Sequence, residues 1–174
     1  MPRLAFYTFG ILKESIGHPV VQGFLDAAPV VFREAENAPG YITRAIRPDL
    51  TKPYFGQNFG PFGDFAAPRF HFAARDWQSR VAATLSLWSD IAPVHRFAYG
   101  GLHKEALARR AQWIVKPEYP AFAMWWVGDH ETPTWQEASD RLEHLHDHGP
   151  SPRAFKFSSA FDTQGNRIAE RIVS

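Results

Sequence analysis

His103 is the residue whose type and spacing most favour chemistry in this sequence. A helix beginning there carries four residues on one face, at helical spacing: His103, Leu107, Arg110 and Ile114. An imidazole and a guanidinium on one face suit proton transfer with stabilisation of the anion that forms. The plainer interpretation is that His103 hydrogen-bonds a carboxylate or carbonyl and fastens a helix break at Gly100-Gly101.

The other catalytic candidates carry weaker signals. Arg109 and Arg110 can hold a carboxylate in a bidentate fork, although such pairs more often make surface salt bridges. His71 stands between two phenylalanines in a ring-rich loop, where it could act as an acid or base on a substrate. Tyr99 is a further acid/base candidate without distinguishing spacing. Besides His103, the catalytic set is therefore Arg110, His71 and Tyr99.

Aromatic residues make up 15% of the chain, which is more than a plain core of this size needs. Such a content indicates a pocket or an interface lined with rings. Because strand residues alternate between two faces, some rings should line a cavity while others pack under helices. We expect a small hydrophobic or aromatic molecule to be bound by Arg109 and by five rings: Phe9, Trp88, Trp113, Trp125 and Trp126.

Composition and motifs exclude several function classes. The 174 residues fit a single domain, and a formal net charge of +1 without a basic block argues against nucleic-acid binding. Zero cysteines exclude disulfides, thiolate metal sites and cysteine nucleophiles. Three histidines lie in the His-rich tract His144-Leu145-His146-Asp147-His148, but only His144 and His148 share a helix face. The favourable interaction of positive charge with a helix C-terminus therefore explains these histidines better than a metal site does.

The start of the sequence shows no signal peptide, and no apolar run is long enough to span a membrane. We therefore expect a cytoplasmic protein with no membrane partner.

Hydrophobic patterning predicts a β-α-β-β-α-β order of elements. Strands are predicted over residues 4–12, 41–46, 81–88 and 119–127, with one helix opened by His18-Pro19 and another capped by Ser89-Asp90 and broken at Gly100-Gly101. The C-terminal extension, 134–174, should add a helix between Thr134 and Gly149-Pro150 and a last strand over 155–161. This order is that of the ferredoxin-like α+β fold.

The second face of the predicted sheet needs a cover, because both faces of its strands are apolar. With no helix left for it, we expect a homodimer whose two sheets pack together and enclose a cavity, a dimeric α+β barrel. The insertion 47–80 is too rich in rings for a solvated linker. We predict that it forms a lid over the barrel mouth; the alternatives are a cover for a sheet edge or dimer interface, and disorder.

Motifs along nearly the whole chain resemble an uncharacterised bacterial domain family of unknown function. They include Leu85-Ser86-Leu87-Trp88-Ser89-Asp90, Phe97-Ala98-Tyr99-x-x-x-His103, Arg109-Arg110-x-x-Trp113, Trp125-Trp126-Val127 and Pro133-Thr134-Trp135. That family is similar to the antibiotic-biosynthesis monooxygenase superfamily, which implies dimeric α+β barrels and small-molecule oxygenases, haem-degrading enzymes or isomerase-like proteins. Fold transfers better than function does.

The resemblance implies three alternative functions. The first is a cofactor-independent monooxygenase or isomerase, with His103 shuttling a proton of a hydrophobic aromatic substrate in the barrel cavity. The second binds haem with His103 as the axial ligand, since haem-degrading relatives place such a histidine downstream of a strand-end tryptophan such as Trp88. The third is a ligand-binding barrel without turnover.

Overall fold

A four-stranded antiparallel sheet lies at the centre of the protein, whose computed structural model describes residues 1–168. The strands are β1 (Arg3–Ile11), β2 (Tyr41–Arg44), β3 (Val81–Trp88) and β4 (Phe122–Val127), in the order β2-β3-β1-β4. The helices of the described part are α1 (Pro19–Asn37), α2 (Ile91–Tyr99), α3 (Gly101–Trp113) and α4 (Trp135–His148). The structure is therefore of the mixed α+β class.

Local sequence signals explain where the helices begin and end. Asp90 caps α2 by accepting a hydrogen bond from the Ile91 N–H, and Thr134 caps α4 by accepting one from the Glu137 N–H. Gly149 ends α4 with a φ of 77°, a conformation that favours glycine. The break at Gly100-Gly101 separates α2 from α3, as the sequence predicts.

One face of the sheet lies under α1, α2 and α3, and we call it the helix side. The core on this side is formed by even-numbered residues of β1 and the inner face of α2. Helix α2 packs on β3, whereas α1 packs mainly on α3. Buried members of this core include Leu4, Phe6, Trp88, Val94 and Ala98.

The opposite face, which we call the cap side, is covered by the chain's own residues. Rings of the insertion 47–80 and the inner face of α4 pack on it, among them Phe59, Phe65, Trp135 and Leu142. The Tyr54 hydroxyl donates to the Ala83 carbonyl at 2.9 Å, which ties the insertion to β3.

This face has a cover that the sequence did not predict. Rings of the insertion and residues of α4 pack on the sheet, so a partner's sheet is not needed to bury this face. The lid stays a prediction, and so does a homodimer, whose interface would lie on another surface.

The predicted last strand over 155–161 does not form. Phe155 makes one isolated bridge with Met124 of β4, and a turn of 3₁₀ helix over Phe157–Ser159 follows. This turn lets Phe155, Phe157 and Ala160 all reach the helix-side core, a spacing that a strand's two-residue period does not give. The predicted helix between Thr134 and Gly149 is confirmed as α4.

Candidate functional site

The middle of the sheet is partly open on the helix side. Thr8 of β1 lies directly opposite Thr84 of β3, and Phe122 of β4 flanks Thr8 on the other side. These residues, together with Ala82, are only half-buried although β1 and β3 are the two central strands. Central strands under helices are normally closed off from water. The opening over these four residues is called the helix-side groove below.

Aromatic rings border the groove beside β4. The Phe122 ring lies 5.7 Å from the Phe6 ring and 5.3 Å from the Phe157 ring, measured between centroids. His95 and Tyr99, one turn apart on α2, each pack against Phe157 at 5.1 and 5.5 Å. Burial lowers the pKa of His95, so its imidazole is neutral near pH 7.

His103 lies in the first turn of α3, just after the break from α2. Its Nδ1 lies 2.7 Å from the Ala98 carbonyl oxygen. Because a carbonyl only accepts hydrogen bonds, Nδ1 must carry the proton, and Nε2 then bears a lone pair. Burial lowers the pKa of His103, which keeps the ring neutral. Within residues 1–168, no hydrogen bond engages Nε2.

Glu34 of α1 fixes the start of α3. Its two carboxylate oxygens accept hydrogen bonds from the backbone N–H groups of Leu102 and His103, both at 3.1 Å. These N–H groups belong to the first turn of a helix, where a carboxylate is also favoured by the helix dipole. Gly101 has a φ of 46°, and a Cβ there would displace the Glu34 carboxylate. The left-handed backbone conformation favours glycine at this position.

A stack of rings connects His103 to the sheet. The Phe97 ring lies 4.7 Å from the His103 ring and is stacked on Trp88 at 5.2 Å. Trp88 and Thr84 lie on the same face of β3, roughly 13 Å apart at the usual rise per residue. The half-buried residues of α3 turned towards the interior are His103, Ala106 and Leu107. His103 thus lies near the Trp88 end of β3, on the same side of the sheet as the groove.

The other catalytic candidates from the sequence lie apart from His103. Arg110 shares its helix face but is exposed, and the Arg109 guanidinium lies over the Trp113 ring at 4.9 Å. His71 is exposed in the insertion on the cap side. Tyr99 is 48% exposed, beside His95 at the groove's border. The structure therefore brings His103 and Tyr99 to the same region and leaves Arg110 and His71 outside it.

The predicted ring contacts are divided between the two faces of the sheet. Trp88 and Trp126 lie on the helix side, where Trp126 Nε1 donates to the Phe161 carbonyl at 2.7 Å. Phe9 and Trp125 are fully buried on the cap side. Trp113 packs at the far end of α3 against Gly23. These residues do not form one binding site.

Among residues 1–168, no group of three or more histidine, aspartate or glutamate side chains could hold a metal ion. In the His-rich tract, the ring of His144 stacks on that of His148 at 4.6 Å, and His144 Nε2 lies 3.1 Å from the Ser151 hydroxyl. None of the helices in this part of the chain is long and apolar enough to cross a membrane.

Sequence reasoning missed three residues of this region, namely Thr8, Thr84 and Glu34. The two threonines carried a usable signal, because they are hydroxyl-bearing residues inside strands that are otherwise apolar. Glu34 gave none, since only the fold brings it to a helix that begins 67 positions later at Gly101.

Solved structures with some similarity come from three organisms. A protein of unknown function from Nitrosomonas europaea shares 13% identity, covers 76% of this chain and 96% of its own, and has a TM-score of 0.46. A conserved protein from Methanosarcina mazei shares 12% identity over 73% of this chain and 92% of its own, with a TM-score of 0.45. A protein from Shewanella oneidensis shares 10% identity over 72% of this chain and 89% of its own, with a TM-score of 0.42. Likenesses this weak decide neither fold nor function.

Among curated proteins, none matches this chain. A family model described as a domain of unknown function, DUF3291, matches residues 3–171, which is nearly the whole sequence. The motifs around Trp88, His103 and Trp135 fall within that match. The chain therefore belongs to the DUF3291 family.

Proposed function

We propose that this protein binds a small ring-bearing molecule on the helix side of the sheet and that His103 takes a proton from it. Monooxygenase-like and isomerase-like reactions without a cofactor both begin by removing an acidic proton, so the proposal covers that first step. The observation that carries it is the state of His103, a neutral ring whose Nδ1–H is held by the Ala98 carbonyl.

That state suits a general base. A base must be unprotonated near neutral pH and must present its lone pair to the substrate. Burial keeps His103 neutral, and the Ala98 hydrogen bond orients the ring with the lone pair on Nε2. The surrounding rings supply the apolar walls that a planar hydrophobic ligand needs.

A carbon acid with an aromatic ring tests this function. β-Tetralone carries such a ring and acidic protons between the ring and its carbonyl. In D₂O at neutral pH, proton NMR should show the protein accelerating deuterium exchange at that carbon. His103→Gln should lower the protein-dependent rate at least about a hundredfold, the low end of what a general base contributes.

His144→Gln is the matched control, because burial also lowers the pKa of His144 and this residue lies on α4, away from the helix-side groove, so the rate should stay within twofold. Equal losses in both variants, or exchange no faster than in buffer, would contradict the proposal. Binding without exchange would favour the ligand-binding barrel without turnover.

Haem binding is the second candidate, and one observation favours it. A histidine that ligates a metal usually donates its other ring N–H to a carbonyl or carboxylate, as His103 Nδ1 does to Ala98. His103 would hold the iron through Nε2, and a bound haem would supply redox chemistry. Titration with haemin should then give a Soret band that saturates at one haem per chain and disappears in His103→Ala. Without such a band this candidate fails.

We also propose that the fold is the ferredoxin-like type of the antibiotic-biosynthesis monooxygenase relatives. The antiparallel strand order β2-β3-β1-β4 supports this, because a β-α-β-β-α-β chain gives that order in the ferredoxin-like fold. Light scattering with size-exclusion chromatography tests the predicted homodimer, whose interface would lie on a surface other than the covered cap side. A monomer at micromolar concentration would contradict it.

A further inference from the structure

We propose that Thr8 and Thr84 form the polar recognition point of the groove and select ligands that carry an oxygen acceptor, such as an aryl ketone or an enolate. This inference rests on the proposed function and narrows its substrate class. The two residues face each other across β1 and β3, and their Oγ1 atoms lie 2.7 Å apart.

The hydroxyl pair has one hydrogen to spare. Each threonine hydroxyl donates one hydrogen bond, and the contact between them uses one of the two protons. In the described part of the chain, no other hydrogen bond reaches either hydroxyl. The remaining O–H is therefore available to an acceptor in the groove, and the bond to its neighbour polarises it.

The surroundings of the pair make this O–H selective. Ala82 and Phe122 flank it with apolar groups, and the Phe6 and Phe157 rings follow beside β4. At one end of the groove, Ile114 packs against Gly10, and a Cβ added to Gly10 would lie 3.2 Å from a methyl carbon of Ile114. A ligand seated over the pair would meet the Ala82 methyl group and the Phe122 ring beside the two hydroxyls.

These features define a ligand class. A flat hydrocarbon would bury the hydroxyl pair without a partner, which costs free energy. A ligand of the same shape with a carbonyl or phenolate oxygen over the pair accepts the spare hydrogen.

Two probes of equal size separate the contributions, namely β-tetralone, which has a carbonyl, and tetralin, which lacks it. Binding is followed by NMR of ¹³C-labelled threonine and valine methyl groups, so that positions 8 and 84 report occupancy in every variant. The variants are Thr8→Val, Thr84→Val and the double variant Thr8→Val/Thr84→Val, which keep the shape and remove one or both hydroxyls, with Thr84→Ser as the conservative variant that keeps the hydroxyl. Thr43→Val, at an exposed position of β2, is the matched control.

We expect the double variant to weaken β-tetralone binding about tenfold, as loss of one hydrogen bond does, while tetralin binding changes less than twofold. Each single variant should weaken it less, because the remaining hydroxyl still has a hydrogen to donate. Thr84→Ser and Thr43→Val should bind like the wild type. Equal weakening for both probes, or no weakening for either, would overturn the recognition role and leave the proposed function standing. If neither probe shifts the two methyl signals up to its solubility limit, both proposals fall. If the discrimination holds while His103→Gln leaves exchange unchanged, only the catalytic proposal fails.

Discussion

The two faces of the sheet are closed to different degrees. On the cap side, Tyr7, Trp125 and Trp135 are essentially inaccessible to solvent, under rings of the insertion and of α4. On the helix side, Thr8 and Thr84 remain half-buried at the very centre of the sheet. Alternate residues of one strand therefore point into a sealed core and into an open groove.

The difference separates stability from binding. Burial on the cap side costs free energy, because the indole N–H groups of Trp125 and Trp135 have no hydrogen-bond partner among residues 1–168. Burial also raises the pKa of Tyr7, so its phenol stays neutral. Close packing of rings outweighs these losses. The helix side is packed less closely over Thr8 and Thr84, so their hydroxyl groups remain accessible.

The largest expected effect is the loss of a ring from the sealed face. Trp135 packs against Phe59 and Phe65, both at 5.1 Å between ring centroids. Trp135→Ala should lower the free energy of unfolding by about 3–5 kcal/mol in a denaturant titration. Phe122→Ala, in the groove, is the matched control and should cost clearly less because its ring is half-buried. Equal losses would show that the two faces do not differ in this way.

A smaller effect is expected from Glu34. Glu34→Ala removes the carboxylate that holds two N–H groups at the start of α3, so unfolding should become easier by about 1–2 kcal/mol. Glu36→Ala is the control on the same helix, since Glu36 makes only a surface ion pair with Arg44, at 2.9 Å. Such pairs contribute about 0–1 kcal/mol. If both variants lost the same stability, the capping role of Glu34 would be refuted.

The smallest effect concerns pH. Burial lowers the pKa of His103 below its ordinary 6.5, so the unfolded chain takes up a proton that the folded chain resists. Stability should be complete above about pH 6.5 and should fall as the pH drops below that value. His103→Gln should flatten this slope, and the remaining slope reflects His95 and His144, whose pKa values are also lowered. Denaturant titrations between pH 7.5 and 5 would measure it, and an unchanged slope would contradict the assignment.

Much of the fold was predictable because it follows local patterns. Alternating apolar runs located all four strands, and capping residues such as Asp90 and Thr134 located helix starts to within a residue or two. The glycine pair correctly marked the break between α2 and α3. These signals depend only on neighbours along the chain.

The placement of the insertion and of the site residues was not predictable, because it depends on contacts between residues distant in sequence. The insertion carries the apolar rings of a core segment without strand or helix periodicity, so nothing local shows which face it covers. The same limit applies to Phe9 and Trp88, because their separation by the sheet depends on strand pairing. Arg110 is exposed, and a shared helix face does not show how far along the helix the core extends.

The proposed role of His103 as a general base is tested most directly by its tautomer, read from ring ¹⁵N shifts in long-range ¹H–¹⁵N NMR spectra at pH 7. We expect a neutral ring with the proton on Nδ1 and a lone pair on Nε2, because the Ala98 carbonyl accepts from Nδ1 at 2.7 Å. A neutral ring protonated on Nε2, or a charged ring at this pH, would contradict it.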